Sequence, residues 1–183
     1  MNKLALSAAA LAAVLLSAGS AAAQISRVSL EPRGGLAFPI DNEGLENGWT
    51  LGGDLIVDVS PVLGIYAGYN FNRFAVEGAD DLPGDIDVNT DVHGFDAGVR
   101  ATFAGNSISP FFKAGLLYQS VALDVDSGAG SFRRDSDREL GFEVGGGVEL
   151  PLSARLSLTP GVTYAQVAEA EYVRADVGLR IRF

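Results

Sequence analysis

The chain has 183 residues, 48% of them hydrophobic, with 23 glycines, no cysteine and a formal net charge of −10. Without cysteine there is neither a disulfide scaffold nor a thiolate metal site. The acidic balance argues against a nucleic-acid partner, whose phosphates attract lysine and arginine, and the length suits one domain.

In chain order, Lys3 precedes an apolar run from Leu4 to Leu16, and Ala21, Ala22 and Ala23 before Gln24 offer a small-residue cleavage site. The run is too short for a spanning helix, which identifies 1–23 as a secretory signal peptide. Its removal leaves 24–183 as a single domain and, with Lys3 gone, moves the net charge from −10 to −11. No later stretch approaches the roughly 20 apolar residues of a membrane-spanning helix. After residue 25, period-two alternation predicts eight strands. They lie at about 27–38, 49–59, 62–74, 90–104, 109–123, 139–150, 155–165 and 172–183. Each matches the roughly 9–11 residues of a tilted membrane-crossing strand, or runs slightly longer. Ser60 and Pro61, Gly105 and Asn106, and Leu152 to Ala154 mark tight turns; longer polar loops are expected over 39–48, 75–89, 124–138 and 166–171. Short turns at one end and longer loops at the other suit a barrel with periplasmic turns and extracellular loops.

Side chains alternate across a strand, so two faces can be written out. One runs through residues such as Leu36, Trp49, Leu51, Ile65, Tyr69, Phe95, Val99, Phe112, Leu116, Leu140, Phe142, Val162 and Tyr164. The other carries Glu31, Arg33, Asp54, Asp58, Asp96, Arg100, Lys113, Glu143, Glu149, Arg174, Asp176, Arg180 and Arg182, interleaved with Gly35, Gly64, Gly68, Gly98, Gly115, Gly145 and Gly178. The interior of an eight-stranded barrel is only just wide enough for its side chains. The bulky apolar face would overfill it, whereas a glycine-rich wall makes room for Arg, Lys and Tyr66 to cross it. Aromatic residues also collect toward both strand ends, as at two membrane interfaces. Phe38, Trp49, Tyr69, Phe71, Tyr118, Phe142 and Tyr164 lie toward the long loops, and Phe103, Phe112 and Phe183 toward the short turns. The expected fold is all-β, an eight-stranded antiparallel up-and-down transmembrane barrel with its charged face inward.

The final strand ends Asp176-x-Gly178-x-x-Ile181-x-Phe183, which resembles the assembly signal of bacterial outer-membrane barrels. PFFKAGLLY at 110–118 and GFEVGGGVE at 141–149 look like recurrent strands of the small eight-stranded outer-membrane barrel superfamily. That family includes the transmembrane domain of outer membrane protein A, the OmpX/Ail surface proteins and the opacity-like proteins. The resemblance covers about 25–183. It implies an outer-membrane location with both termini in the periplasm. Outer-membrane lipid, lipopolysaccharide and the assembly machinery would then be the partners of a monomer.

Three places could carry function. The 13 inward charges comprise six basic and seven acidic groups, a net of −1. Unpaired buried charge is expensive and a satisfied network is not, so these residues are expected to pair across the lumen and plug it. Arg174, Arg180, Arg182, Lys113 and Arg100 are the expected cations, meeting Glu143, Glu149, Asp54, Asp58, Asp96 and Glu31. The outer loops hold most of the remaining acid, including Asp41, Glu43, Glu46, Glu77, Asp80, Asp81, Asp85, Asp87, Asp124 and Asp126. This is either a solvated anionic surface or a divalent-cation site with oxygen ligands; Phe132, Arg133 and Arg134 could anchor a partner. Third, His93, the one histidine, shares a region with Ser120 and with Asp91 or Asp124, as a lipid-modifying catalyst would require. The spacing of histidine and serine on a single strand that marks lipid A deacylases is absent. The sequence therefore predicts a structural or surface-interactive barrel rather than an enzyme, with no cofactor or metal. A narrow channel is the alternative, ahead of a lipid A-modifying enzyme.

Overall fold

The computed structural model describes residues 27–40, 44–76, 86–105, 107–127, 130–135, 138–168 and 170–183; the expected signal peptide lies outside them. The strands are β1 (Arg27–Ile40), β2 (Leu45–Asp58), β3 (Leu63–Val76), β4 (Ile86–Thr102) and β5 (Ser109–Ser127). They continue with β6 (Gly130–Asp135), β7 (Glu139–Pro151), β8 (Leu156–Val167) and β9 (Ala170–Arg182). The ring runs β4-β3-β2-β1-β9-β8-β7-β5, and β4 closes it by pairing with β5. All pairings are antiparallel, and β6 and β7 share β5 as partner at different heights, so they form one stave of eight. Closure matters because each stave of the ring is paired on both sides, and a hydrocarbon surrounding does not tolerate an open edge.

Short turns join the strands at one end. At the first, the Val59 and Ser60 amides donate to Leu63 O at 2.9 and 3.0 Å. At another, the Leu152 and Ser153 amides donate to Leu156 O at 2.8 and 3.0 Å. The other end departs from expectation. Residues read as loop at 86–89, 124–127 and 130–135 continue the ladder, with Ile86 opposite Ser127 and Ser127 opposite Gly130. Asp, Asn and Ser dilute the alternation there, but pairing still satisfies backbone donors and acceptors. β2 likewise begins at Leu45, four residues before the predicted start, with a register shift between Leu45 and Gly48.

The barrel wall is inverted relative to a water-soluble core. Leu140, Leu116 and Phe112 point outward with 74%, 65% and 63% exposure, while Glu143 and Arg174 inside are 0% exposed. Burying a Leu or Phe side chain is worth about 1.5–3 kcal/mol; rows of such side chains facing outward call for an apolar surrounding. Trp49 meets Phe71 at 5.2 Å and Phe142 meets Tyr164 at 6.0 Å toward the long-loop end; Phe103 meets Phe112 at 6.3 Å toward the short turns. The outward face is not wholly apolar. Near the long-loop end Arg73 pairs with Asp91 at 2.7 Å and with Asp124 at 3.2 Å, an ion-paired cluster on that face.

Candidate functional site: a charge-filled lumen

The register of neighbouring strands decides which inward charges meet. β2 sets Asp54 opposite Glu31 of β1, next to Arg33 two residues on. The Arg33 guanidinium forks onto Asp54, with Nη2 to Oδ1 at 2.8 Å, and donates to Asn70 Oδ1 at 2.9 Å. Asn70 passes the link on, donating to Asp96 at 2.7 Å, and Asp96 lies 3.4 Å from Arg33. Bidentate arginine–carboxylate geometry of this kind is among the strongest polar contacts a protein makes.

A second centre is Glu143 on β7. Tyr66 Oη donates to it at 2.6 Å, Lys113 Nζ at 3.1 Å and Arg174 Nη2 at 2.5 Å. Those donors come from β3, β5 and β9; Lys113 reaches Glu143 from the neighbouring β5, whereas Tyr66 and Arg174 reach it from strands that do not pair with β7, across the bore. Tyr66 can cross because it passes two glycines. A Cβ at Gly115 would sit 2.3 Å from Tyr66 Oη, and one at Gly98 2.7 Å from it.

A third group lies toward the short turns. Arg180 donates to Asp58 at 2.7 Å, to Glu149 at 3.1 Å and to Ser29 at 3.0 Å. Arg100 donates to Glu31 at 2.7 Å and stacks on the Phe111 ring, 3.8 Å from its centroid. Arg182 pairs with Glu149 and donates to Ser157 at 2.9 Å. A cavity enclosed by Glu31, Arg33, Lys113, Thr159, Thr163 and Asp176, among others, measures about 10 Å³. That is close to the smallest space that holds one water molecule.

Of the residues singled out from sequence, the structure brings together every cation and every acid except Asp176. Asp176 faces Gly35 and Gly161 in register, and its Oδ2 has no hydrogen-bond partner among the described residues. The nearby Arg33 fork is already taken by Asp54. In the terminal motif Gly178 also faces inward, where a Cβ would lie 2.4 Å from Thr159 Oγ1. Phe183 is 76% exposed, and its amide donates to Val28 O at 3.0 Å.

Above the charges sits a layer the alternation argument passed over. Asn72 donates to Val92 O at 3.1 Å, and Tyr172 Oη donates to Gln119 at 3.0 Å. Ala37, Phe74, Val92, Leu117, Ala165, Val167 and Tyr172 then form a buried apolar cluster inside the barrel at its long-loop end. Strand parity would have found these residues: Asn70, Asn72 and Phe74 share the face of Tyr66.

His93 and Ser120 do meet, with Nε2 3.4 Å from Oγ, as direct partners across β4 and β5. Among the described residues no acid completes them. His93 Nδ1 has no partner among the described residues, and the Asp91 carboxylate is held by Arg73 Nε and Nη2 at 2.7 and 2.8 Å. Asp41, Glu43, Glu77, Asp80, Asp81 and Asp85 lie outside the described residues, and among those described no three His, Asp or Glu residues gather as a metal site. Phe132 is 63% exposed; the backbone of Arg133 lies opposite Asp124.

Comparison with known proteins places this architecture. A family described as "Outer membrane protein beta-barrel domain" matches residues 6–183. Among solved structures, Neisserial surface protein A superposes with a TM-score of 0.59 at 18% identity, covering 86% of this chain and 96% of that one. Ail, the attachment invasion locus protein of Yersinia pestis, solved with the heparin analogue sucrose octasulfate, gives 0.56 at 14% identity, with 87% and 100% covered. The N-terminal β-barrel domain of Pseudomonas aeruginosa OprF gives 0.53 at 14% identity, with 86% and 98% covered. These identities speak to the fold alone. No curated protein sequence matches the chain.

Proposed function

Because the chain belongs to the outer membrane protein β-barrel family of the bacterial outer membrane, we propose that it serves the envelope as a closed, non-conducting barrel with a structural and surface-presenting role. Both termini lie in the periplasm in this reading, and the extended β4–β5–β6 ladder stands on the cell surface. The observation that carries it is the set of donors from three strands converging on Glu143. An ion would have to break these contacts to pass. Breaking one partner from a buried pair costs about 3–5 kcal/mol, far above thermal energy.

Outer-leaflet lipid is the natural partner of the outward face. The Arg138 guanidinium lies 5.8 Å from both the Phe95 and Tyr118 rings, a cation at the aromatic band suited to a headgroup phosphate. Catalysis is not part of the reading, since among the described residues the His93–Ser120 pair lacks an orienting acid.

Planar-bilayer recording on refolded protein tests the reading. Steady single-channel conductance should be absent; a stable, large conductance would overturn it. Orientation is testable separately, because the chain has no cysteine. In intact cells, a membrane-impermeant maleimide should label Phe132→Cys and leave Ser153→Cys unlabelled. The reverse pattern would invert the topology.

A further inference from the structure

The apolar cluster that caps the charged lumen is also the floor of a cup. Phe74 and Tyr172 meet edge to face there, with ring centroids 5.7 Å apart and both side chains almost fully buried. Above them opens a cavity of about 470 Å³, walled by Pro39, Leu45, Val92, Val121, Ala168 and Ala170. That volume falls in the range of small-molecule sites, roughly 300–1,000 Å³. The cup is closed below by the buried cluster, so a ligand reaches it from the long-loop end only.

Among the described residues its polar groups are few: Thr90, Glu139 and Glu171 contribute to the lining, and no Lys, Arg or His does. The Glu171 carboxylate is on the outward parity of β9 and is engaged there, accepting from Tyr164 Oη and Gln166 Nε2 at 3.0 Å each. Glu139 is different. It sits opposite Gln119, on the parity that faces inward, and it is exposed, with no ion pair among the described residues. An apolar bowl with one uncommitted carboxylate at its lip matches one ligand chemistry: an apolar body that displaces water from Phe74 and Val92, joined to a cation that reaches Glu139. A carboxylate or phosphate ligand would meet Glu139 unfavourably, in a chain whose net charge is already −10.

We propose that the outer mouth of the barrel is a binding site for small amphipathic organic cations, with Glu139 as the ammonium partner and Phe74, Val92, Val121 and Tyr172 as the apolar seat. The site does not depend on whether the lumen beneath it conducts.

The test uses the barrel in nanodiscs of zwitterionic lipid, with empty nanodiscs as the control for partitioning. Three probes share one skeleton: 2-(2-naphthyl)ethylammonium, the corresponding alcohol, and 3-(2-naphthyl)propanoate. Calorimetry gives affinities, and methyl resonances of Leu45, Val92 and Val121 report location. The ammonium should bind saturably and shift those methyls, with the alcohol weaker by up to about fivefold, the range of an exposed ion pair, and the propanoate weaker still. Glu139→Gln should remove the preference for ammonium over alcohol while leaving alcohol binding unchanged. Val121→Trp, which puts an indole into the cup beside Val92, should weaken binding of both. Equal affinity for all three probes, shifts confined to other methyls, or no saturable binding above empty nanodiscs would each overturn the proposal.

Discussion

Replacing Glu143 by leucine is the sharpest probe of the lumen. The side chain is 0% exposed and accepts from Tyr66, Lys113 and Arg174 at 2.6, 3.1 and 2.5 Å. Leucine has similar bulk, so packing changes little, but two cations lose their carboxylate. Arg174 is the worse placed, since its Nε and Nη1 already have no hydrogen-bond partner among the described residues. Stranding one partner of a buried pair costs about 3–5 kcal/mol, and an orphaned buried hydroxyl such as that of Tyr66 about 1–3 kcal/mol. Because relaxation is shared between these losses, Glu143→Leu should destabilise by about 4 kcal/mol. The same change at an exposed pair would register at most about 1 kcal/mol, so the two situations are separable. The assay is a urea titration of the barrel in lipid vesicles, followed by folded-state gel mobility and by the fluorescence of Trp49, the single tryptophan. Glu139→Gln, at an exposed position, is the control and should move stability by less than about 0.5 kcal/mol. Combining Glu143→Leu with Arg174→Leu should lose less than the two single losses summed, by about 1–3 kcal/mol, as expected for residues in contact. A loss under 1 kcal/mol for Glu143→Leu would show the lumen charges screened by water, and the plugged-barrel reasoning would fail.

Further tests address the wall, a turn and the terminus. Gly115→Ala places a Cβ 2.3 Å from Tyr66 Oη and should cost about 1–3 kcal/mol of overpacking; Tyr66→Phe in the same chain should recover part of it in the urea midpoint. Ala168 holds a φ of 53° in the turn between β8 and β9, so Ala168→Gly should raise stability by about 1 kcal/mol, measured the same way. Phe183→Ala removes a ring that is 76% exposed and should change stability in vesicles by less than about 0.5 kcal/mol, while slowing insertion in cells. Equal slowing in both settings would remove the terminal aromatic as an assembly signal.

Much of the fold was legible because the wall is a two-sided surface. Leu116 and Leu140 on one parity, with Lys113 and Glu143 on the other, need no tertiary knowledge to separate, and glycines at 98 and 115 marked a crowded interior. Strand ends were harder to read. At 86–89 and 124–127, polar residues in a continuing ladder look like loop, because backbone pairing leaves no mark on side-chain hydrophobicity. The apolar seat at the mouth was hidden for a related reason: Phe74 and Val92 interrupt an otherwise polar inward face, and parity alone does not say that several such interruptions converge.

The amino-acid sequence by itself determined the class of this protein: strands that alternate, a charged side that balances to −1, and an opposite side that is predominantly apolar. Periodicity is local, and local chemistry suffices for it. The pairing was decided by the closed barrel, where strand register and stagger bring Tyr66 to Glu143 across 77 positions and Arg180 to Ser29 across 151. The same closure gathers Ala37, Phe74, Val92, Leu117 and Tyr172 from five strands into one cap. Such meetings depend on where staves lie around a ring, a property that no single strand encodes.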